Sequence, residues 1–143
     1  GGDLNTTRNL MEALPDLVGA DGRLFAIISG RTFSAGISSM GYLKQAAGDR
    51  LTIIGTPVGD RLEFHAEGGD PVELPNSGLL FLRSLERHNY RTGCPEEDCH
   101  GSIRRHPIAI DSLEPTLSPA FTYKDFQSGR DPWLEAAVAF DGR

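Results

Sequence analysis

The chain has 143 residues, of which 24% are charged, and a formal net charge of −6 at pH 7. This length can support one domain with a hydrophobic core, and we expect residues 1–143 to form a single domain. The acidic balance, without a basic patch interleaved with aromatic residues, argues against nucleic acid as a partner. No apolar run approaches the roughly 20 residues that a membrane-spanning helix needs, so no membrane span is expected.

The chain starts with Gly1-Gly2-Asp3 and carries no recognisable signal peptide. A glycine pair that runs directly into a helical pattern favours a piece of a longer protein, with its N-terminal part missing. The following apolar spacing predicts an amphipathic helix over Thr6–Leu14 that is capped by Asn5 or Thr6 and ends before Pro15.

The central pattern is strand, helix, strand. Leu24–Ile28 is a continuous apolar run, typical of a strand buried on both faces. Apolar residues at helical spacing predict a helix over Ser34–Ala47, which Gly48 ends. Leu51–Ile54 is a second apolar run, so the two strands are predicted to be parallel neighbours joined by a right-handed crossover.

Ser34 lies at the junction between the first of these strands and the helix. A serine or threonine here, Ser34 or Thr32, is usually a helix cap. The same position would also suit a nucleophile, since the free N–H groups of a helix start can bind an oxyanion. Residues near the junction do not decide between the two interpretations.

The pattern after the second strand predicts smaller elements. Leu62–Leu74 alternates around a glycine pair and indicates a hairpin, and Leu79–Leu85 indicates a further strand. Glu86–His106 is polar and is predicted to be a long surface excursion. Pro107–Ile110 predicts a brief strand, and Leu113–Pro119 should be extended and irregular.

Two short helices are predicted near the end of the chain. The first begins at Thr122 and runs through Phe126. The second starts at Asp131-Pro132, because proline is favoured at the first helical position. Four residues of this last helix are expected to face the core: Trp133, Leu134, Ala137 and Val138.

Cys94 and Cys99 leave three alternatives open. In an oxidising compartment they could close a small disulfide loop, and we expect them to lie close enough for that bond. In the cytosol they could be free thiols or could join His100 and His106 as metal ligands, although the spacing is not a strong zinc signature. The disulfide alternative implies an exported protein, periplasmic or extracellular.

Several motifs together carry a family resemblance. Gly1-Gly2-Asp3 resembles the end of a glycine-rich turn, and Arg31–Gly36 (Arg-Thr-Phe-Ser-Ala-Gly) resembles a nucleophile segment with Thr before and Ala after the serine. Leu51–Gly59 resembles the strand and Gly-x-Pro-x-Gly turn that follow, and Asp125–Val138 resembles a closing segment. In this order they are similar to the tail-specific (C-terminal processing) serine peptidases.

The resemblance implies an α/β fold of the Clp-peptidase/crotonase-like type, with stacked βαβ units, an additional β-hairpin and a C-terminal helix. It implies Ser34 as nucleophile, with an oxyanion hole made by the N–H of Ala35 and an N–H from Gly1 or Gly2. The substrate would be a polypeptide that adds a strand beside the sheet. No cofactor and no metal are expected, while a homo-oligomer or missing N-terminal domains are open as partners.

One departure from the family concerns the general base. Where the common form has a lysine after the Gly-x-Pro-x-Gly turn, this chain has Asp60 and Arg61. Arginine stays charged and cannot accept the serine proton, so Asp60 and His65 are the base candidates. The alternatives are a base in missing sequence, a rearranged base, or an inactive relative that binds peptides or aids assembly. An acyl-CoA enzyme of the same fold is a weaker option.

Overall fold

A computed structural model describes residues 2–140 of the chain. The protein is mixed α/β and divides into two compact units, one made of the residues up to Asp60 and from Ser112 onward, the other of Arg61–Asp111. The elements in chain order are α1 (Leu4–Leu17), β1 (Leu24–Ile28), α2 (Ala35–Ala47), a 3₁₀ turn (Gly48–Arg50), β2 (Leu51–Gly55), β3 (Glu63–Ala66), β4 (Val72–Glu73), β5 (Leu80–Phe81), β6 (Glu86–Asn89), α3 (Gly101–Arg105), α4 (Tyr123–Ser128) and α5 (Pro132–Val138).

The predicted βαβ arrangement is confirmed in the first unit. β1 and β2 are parallel neighbours, with Leu24 opposite Leu51 and Ile28 opposite Gly55. On the other side of β2, the extended segment around Leu117 forms a parallel bridge with Ile54. β2 is therefore the inner strand, which explains why its residues from Thr52 onward are all buried.

β1 is not buried on both faces, so that part of the prediction is wrong. Phe25 and Ile27 are 37% and 44% exposed, while the alternate residues Ala26 and Ile28 face inward. Among residues 2–140, β1 pairs with β2 alone and is an edge strand. An apolar run by itself cannot distinguish one covered face from two.

The first helix is longer than predicted, and its cap is different. Asp3 caps α1, because its Oδ1 accepts hydrogen bonds from the backbone N–H groups of Asn5 (2.8 Å) and Thr6 (2.9 Å). These bonds lower the pKa of the Asp3 carboxyl. The helix continues through Pro15, which is buried, to Leu17. Packing of α1 on α2 outweighs the helix-breaking tendency of one proline near the C-terminal end.

Both C-terminal helices are confirmed. Thr122 and Asp125 form a capping box at the start of α4, and Gly129 ends that helix in the left-handed conformation. Asp131 caps α5, with Pro132 in its first turn. The expectation that Leu134 and Val138 face the core is wrong, since they are 53% and 80% exposed.

In the second unit, the predicted hairpin over Leu62–Leu74 is wrong. β3 pairs instead with β6, antiparallel, with Phe64 opposite His88. Between them, β4 and β5 form a separate two-stranded hairpin. The predicted strand Leu79–Leu85 is reduced to β5. The alternation predicts β3 correctly, but strand pairing over twenty residues cannot be inferred from alternation.

Glu86–His106 is not a surface excursion. It contributes β6, α3 and several buried residues, namely His88, Asn89, Tyr90, Cys94, Cys99 and Ile103. The predicted strand at Pro107–Ile110 is also absent, although Ile110 donates a backbone hydrogen bond to the Tyr90 carbonyl (2.9 Å). The polar composition of this segment concealed its role, because Arg87 and His88 pair with the carboxylates of Glu63 and Glu67, which lie outside the segment.

Candidate active site

Ser34 directly precedes the first residue of α2 and has an unusual backbone conformation. Its φ is +52° and its ψ is −121°, and its side chain makes no capping hydrogen bond. A non-glycine residue at positive φ is uncommon and strained. Of the two sequence interpretations, the cap is therefore wrong for Ser34 as far as its side chain is concerned.

The turn before Ser34 is stabilised by Thr32 and not by Ser34. The Thr32 hydroxyl accepts a hydrogen bond from the Ser29 N–H (3.2 Å), and the Thr32 N–H donates to the Ser29 carbonyl (2.8 Å). Thr32 thus closes the turn after β1 and leaves α2 without a side-chain cap. Ala35, as the first residue of α2, has an N–H that the helix itself does not use.

Gly2 lies beside Ala35. A Cβ placed on Gly2 would be 3.1 Å from the Ala35 Cβ, closer than side chains normally approach. Since Gly2 immediately precedes the cap of α1, the N-terminal ends of α1 and α2 meet at this point. Helix N-termini carry partial positive charge, and two of them together favour an anion. Gly1, the other predicted donor, lies outside the described residues.

The Gly-x-Pro-x-Gly turn packs tightly against the turn that carries Ser34. A Cβ on Gly55 would lie 2.0 Å from the Ile28 carbonyl oxygen, and one on Gly59 would lie 2.3 Å from that of Gly30. The Gly59 N–H also donates to the Thr32 carbonyl (3.0 Å). Both positions require glycine, because a backbone oxygen lies too close to leave room for a side chain. The turn therefore packs directly against the segment from Gly30 to Ser34.

The two base candidates, Asp60 and His65, belong to different units. Asp60 is the last residue of the first unit and is half-buried. His65 lies in β3 of the second unit and is exposed, opposite in direction to the half-buried Phe64 and Ala66, as its alternation predicted. All four histidines of the chain fall within the second unit.

Neither lysine of the chain follows the Gly-x-Pro-x-Gly turn, where the tail-specific peptidases commonly have a lysine. Lys44 lies at the C-terminal end of α2, where its Nζ donates to the Ser112 carbonyl (2.6 Å). Lys124 is exposed on α4. Neither lysine is therefore assigned as the base for Ser34.

The disulfide between Cys94 and Cys99 is confirmed, with a Cα–Cα distance of 5.7 Å. Within residues 2–140, Cys94, Glu96 and Cys99 form the one group of three potential metal ligands. The disulfide removes both thiolates, which are the strong ligands of that group, so the free-thiol and metal alternatives do not apply to this form. His100 instead faces Glu86, and its ring lies 5.0 Å from that of His88.

The acidic loop between the cysteines binds an arginine. Arg87 of β6 forms ion pairs with Glu96 (3.2 Å) and Asp98 (3.1 Å) of the loop and with Glu63 of β3 (3.3 Å). Hydrogen bonds from Arg87 lower the pKa of the Asp98 carboxyl. These contacts to Arg87 give the acidic loop a structural role.

Sequence reasoning missed a buried histidine. The His88 ring is 4% exposed, with Nε2 2.9 Å from a Glu67 carboxylate oxygen and Nδ1 3.1 Å from the Tyr90 hydroxyl. It stacks on Phe64 with a centroid distance of 4.8 Å. The sequence could have indicated that His88 is buried only if the pairing of β6 with β3 had been known.

Comparison with known proteins adds no family assignment. No protein-family model matches the sequence, and no curated protein matches it significantly. The similarity to tail-specific peptidases therefore remains a prediction from the motifs. Within residues 2–140, no helix is both long and apolar enough to cross a membrane.

Proposed function

We propose that the protein is a serine endopeptidase of the tail-specific type, with a Clp-peptidase/crotonase-like fold, in which Ser34 is the nucleophile. The observation that carries this proposal is the conformation of Ser34. Its positive φ at a strand-to-helix turn, without a capping bond, is the device by which hydrolases expose a nucleophilic hydroxyl.

The surroundings of Ser34 support an oxyanion hole. Ala35 begins α2, and Gly2 approaches Ala35 so closely that no larger residue fits easily. Backbone N–H groups of Ala35 and Gly2, at the meeting of two helix N-termini, would stabilise the negative oxygen of a tetrahedral intermediate. Gly1 is the further donor that the motif implies.

The proposed reaction has two steps. The Ser34 Oγ attacks the peptide carbonyl carbon, its proton passes to a base, and the C–N bond breaks as the amine leaves with a proton. Water then attacks the acyl ester, releases the carboxylic acid and restores the serine. Asp60, which lies in the same unit as Ser34, is the base candidate of that unit.

A second candidate function is a peptide-binding or assembly module of the same fold without catalysis. The observation in its favour is the family's missing lysine, since Asp60-Arg61 stands at that position and Lys44 is bonded to Ser112. Export to the periplasm or the cell exterior is part of both proposals. The Cys94–Cys99 disulfide supports it, because such bonds persist in oxidising compartments.

The test uses a fluorophosphonate probe, which labels activated serines, together with hydrolysis of unstructured casein. The wild-type chain is compared with Ser34→Ala and with Ser39→Ala, a half-buried serine one turn further along α2. Labelling and hydrolysis that Ser34→Ala abolishes and Ser39→Ala preserves would support the peptidase. Casein binding without labelling would favour the binding module. The absence of both casein binding and labelling would refute both proposals.

A further inference from the structure

The backbone of Ser34 has the conformation of a tight turn. Its φ of +52° and ψ of −121° are close to the values of about +60° and −120° at the first central residue of a type II′ β-turn. The Gly36 N–H donates to the Phe33 carbonyl (2.9 Å), which is the hydrogen bond that closes such a turn over residues 33–36. Glycine is the usual residue at the position of Ser34 in this turn. A serine there needs neighbouring contacts that hold it in place.

Thr32 fixes the chain at the start of this turn. Its carbonyl accepts a hydrogen bond from the Gly59 N–H (3.0 Å), which ties it to the Gly-x-Pro-x-Gly turn after β2. Its N–H donates to the Ser29 carbonyl (2.8 Å), and its hydroxyl accepts from the Ser29 N–H (3.2 Å). Thr32 is therefore bonded both to the residue that directly follows β1 and to the turn that follows β2.

The methyl group of Thr32 lies near the other end of the turn that contains Ser34. A Cβ placed on Gly36 would lie 3.4 Å from the Thr32 Cγ2. Because a β-branched side chain has few rotamers, the hydroxyl bond to Ser29 also fixes the direction of the methyl group. The two branches of this side chain thus connect the end of β1 to Gly36, the residue whose N–H closes the turn.

We propose that Thr32 is a positioning residue of the candidate active site, whose hydroxyl holds Ser34 at positive φ and thereby sets the reactivity of the Ser34 Oγ. This inference rests on the proposed function of Ser34 as nucleophile. Thr32 acts through the backbone and not on the substrate. Without the hydroxyl bond, its side chain is free to change rotamer, and Ser34 can relax towards the negative φ that non-glycine residues prefer.

The test compares two substitutions of Thr32 with a matched control in the same unit. Thr32→Val keeps the shape of the side chain and removes the hydroxyl, whereas Thr32→Ser keeps the hydroxyl. Thr122→Val makes the same change at the start of α4, where the Thr122 hydroxyl also accepts a backbone N–H, that of Asp125 (3.2 Å). Thermal unfolding of each variant establishes that it is folded.

The first readout is the rate at which the fluorophosphonate probe labels Ser34. Thr32→Val should lower the maximal labelling rate by about tenfold or more, because a small displacement of a nucleophile is costly. The probe concentration that gives half of the maximal rate should not change, since Thr32 acts through the backbone and not on the probe. Thr32→Ser and Thr122→Val should both stay within about threefold of the wild-type rate, although Thr122→Val loses a helix cap.

The second readout is structural and requires no activity. A positive φ brings the Ser34 N–H close to its own Hα, so the wild-type chain should show a strong intraresidue NOE between these protons. Thr32→Val should weaken this NOE, and Thr32→Ser should retain it. If the wild-type chain is not labelled, the proposed function fails, and the NOE alone decides whether Thr32 holds Ser34.

Three results would overturn the role of Thr32 without affecting the nucleophile. The first is a Thr32→Val chain with the wild-type labelling rate and an unchanged NOE. The second is a loss of labelling in Thr32→Val that Thr32→Ser shares, since the hydroxyl would then not be the group that matters. The third is an equal loss of labelling in Thr122→Val, which would indicate a general effect of stability.

Discussion

Gly2 and Ala35 are 33 positions apart in sequence, yet a Cβ on Gly2 would lie 3.1 Å from the Ala35 Cβ. This approach joins the start of α1 to the start of α2, next to Ser34. It is the tertiary contact on which the proposed oxyanion hole depends. A glycine pair and a Ser-Ala pair would otherwise be two unrelated features of the sequence.

The first prediction concerns this contact. Gly2→Val should reduce the rate of fluorophosphonate labelling at Ser34 by about tenfold or more, because the added side chain displaces the Gly2 backbone from Ala35. The control is Gly101→Ala in α3, where the nearest atom is the flexible end of Arg105 at 3.6 Å. Equal labelling of Gly2→Val and wild type would remove Gly2 from the proposed oxyanion hole.

The second prediction separates strain from capping at Ser34. Ser34→Gly should be more stable than Ser34→Ala by about 1 kcal/mol, because glycine tolerates positive φ and alanine does not. Ser34→Ala should lie within about 0.5 kcal/mol of wild type, since no capping bond is lost. Urea unfolding measures both values. Thr122→Ala, which removes an observed cap, serves as the reference and should cost about 1 kcal/mol.

The third prediction concerns the turn beneath Ser34. Gly55→Ala should cost more than about 3 kcal/mol or prevent folding, because its Cβ would lie 2.0 Å from the backbone oxygen of Ile28. Gly48→Ala is the matched control, since Gly48 also has a positive φ, +55°, but nothing lies within 4 Å of the added Cβ. Its cost should be only about 1 kcal/mol. Similar losses for the two variants in thermal unfolding would contradict the close approach.

The fourth prediction concerns pH. Burial lowers the pKa of His88 below its usual value near 6.5, although the Glu67 carboxylate opposes that shift; Glu86 and His100 also face the ring. The unfolded chain therefore binds more protons than the folded one just below pH 6.5. Stability should fall as the pH decreases from 6.5 towards the lowered pKa.

Urea unfolding at about pH 7.5 and about pH 5 measures this loss. His88→Gln should reduce the pH dependence, whereas His65→Gln, at an exposed position of β3, should retain it. NMR titration gives an independent reading, with a pKa of His88 below its usual value near 6.5. A His88 pKa at or above that value would contradict the burial argument.

Local patterns were sufficient where neighbouring residues alone decide the structure. The βαβ order of β1, α2 and β2 follows from apolar runs, helical spacing and short connections, which leave one favourable arrangement. α4 and α5 follow from the same kind of evidence, because Thr122 and Asp131-Pro132 mark helix starts within a few residues. The Cys94–Cys99 bond is similarly local, since only four residues separate the two cysteines.

Only tertiary structure decided the features that depend on residues distant in sequence. The pairing of β3 with β6 brings Phe64 onto His88 and turns a polar segment into a core. Phe25 and Ile27 expose one face of β1 to solvent, and an apolar run in the sequence does not predict this exposure. Ser34 combines both cases. Its residue type suits a helix cap, but its φ is positive and its hydroxyl makes no capping hydrogen bond. The Gly55–Gly59 turn packs against the turn after β1, which carries Ser34. Propensity acts between neighbours, whereas backbone strain is set by the packing around it.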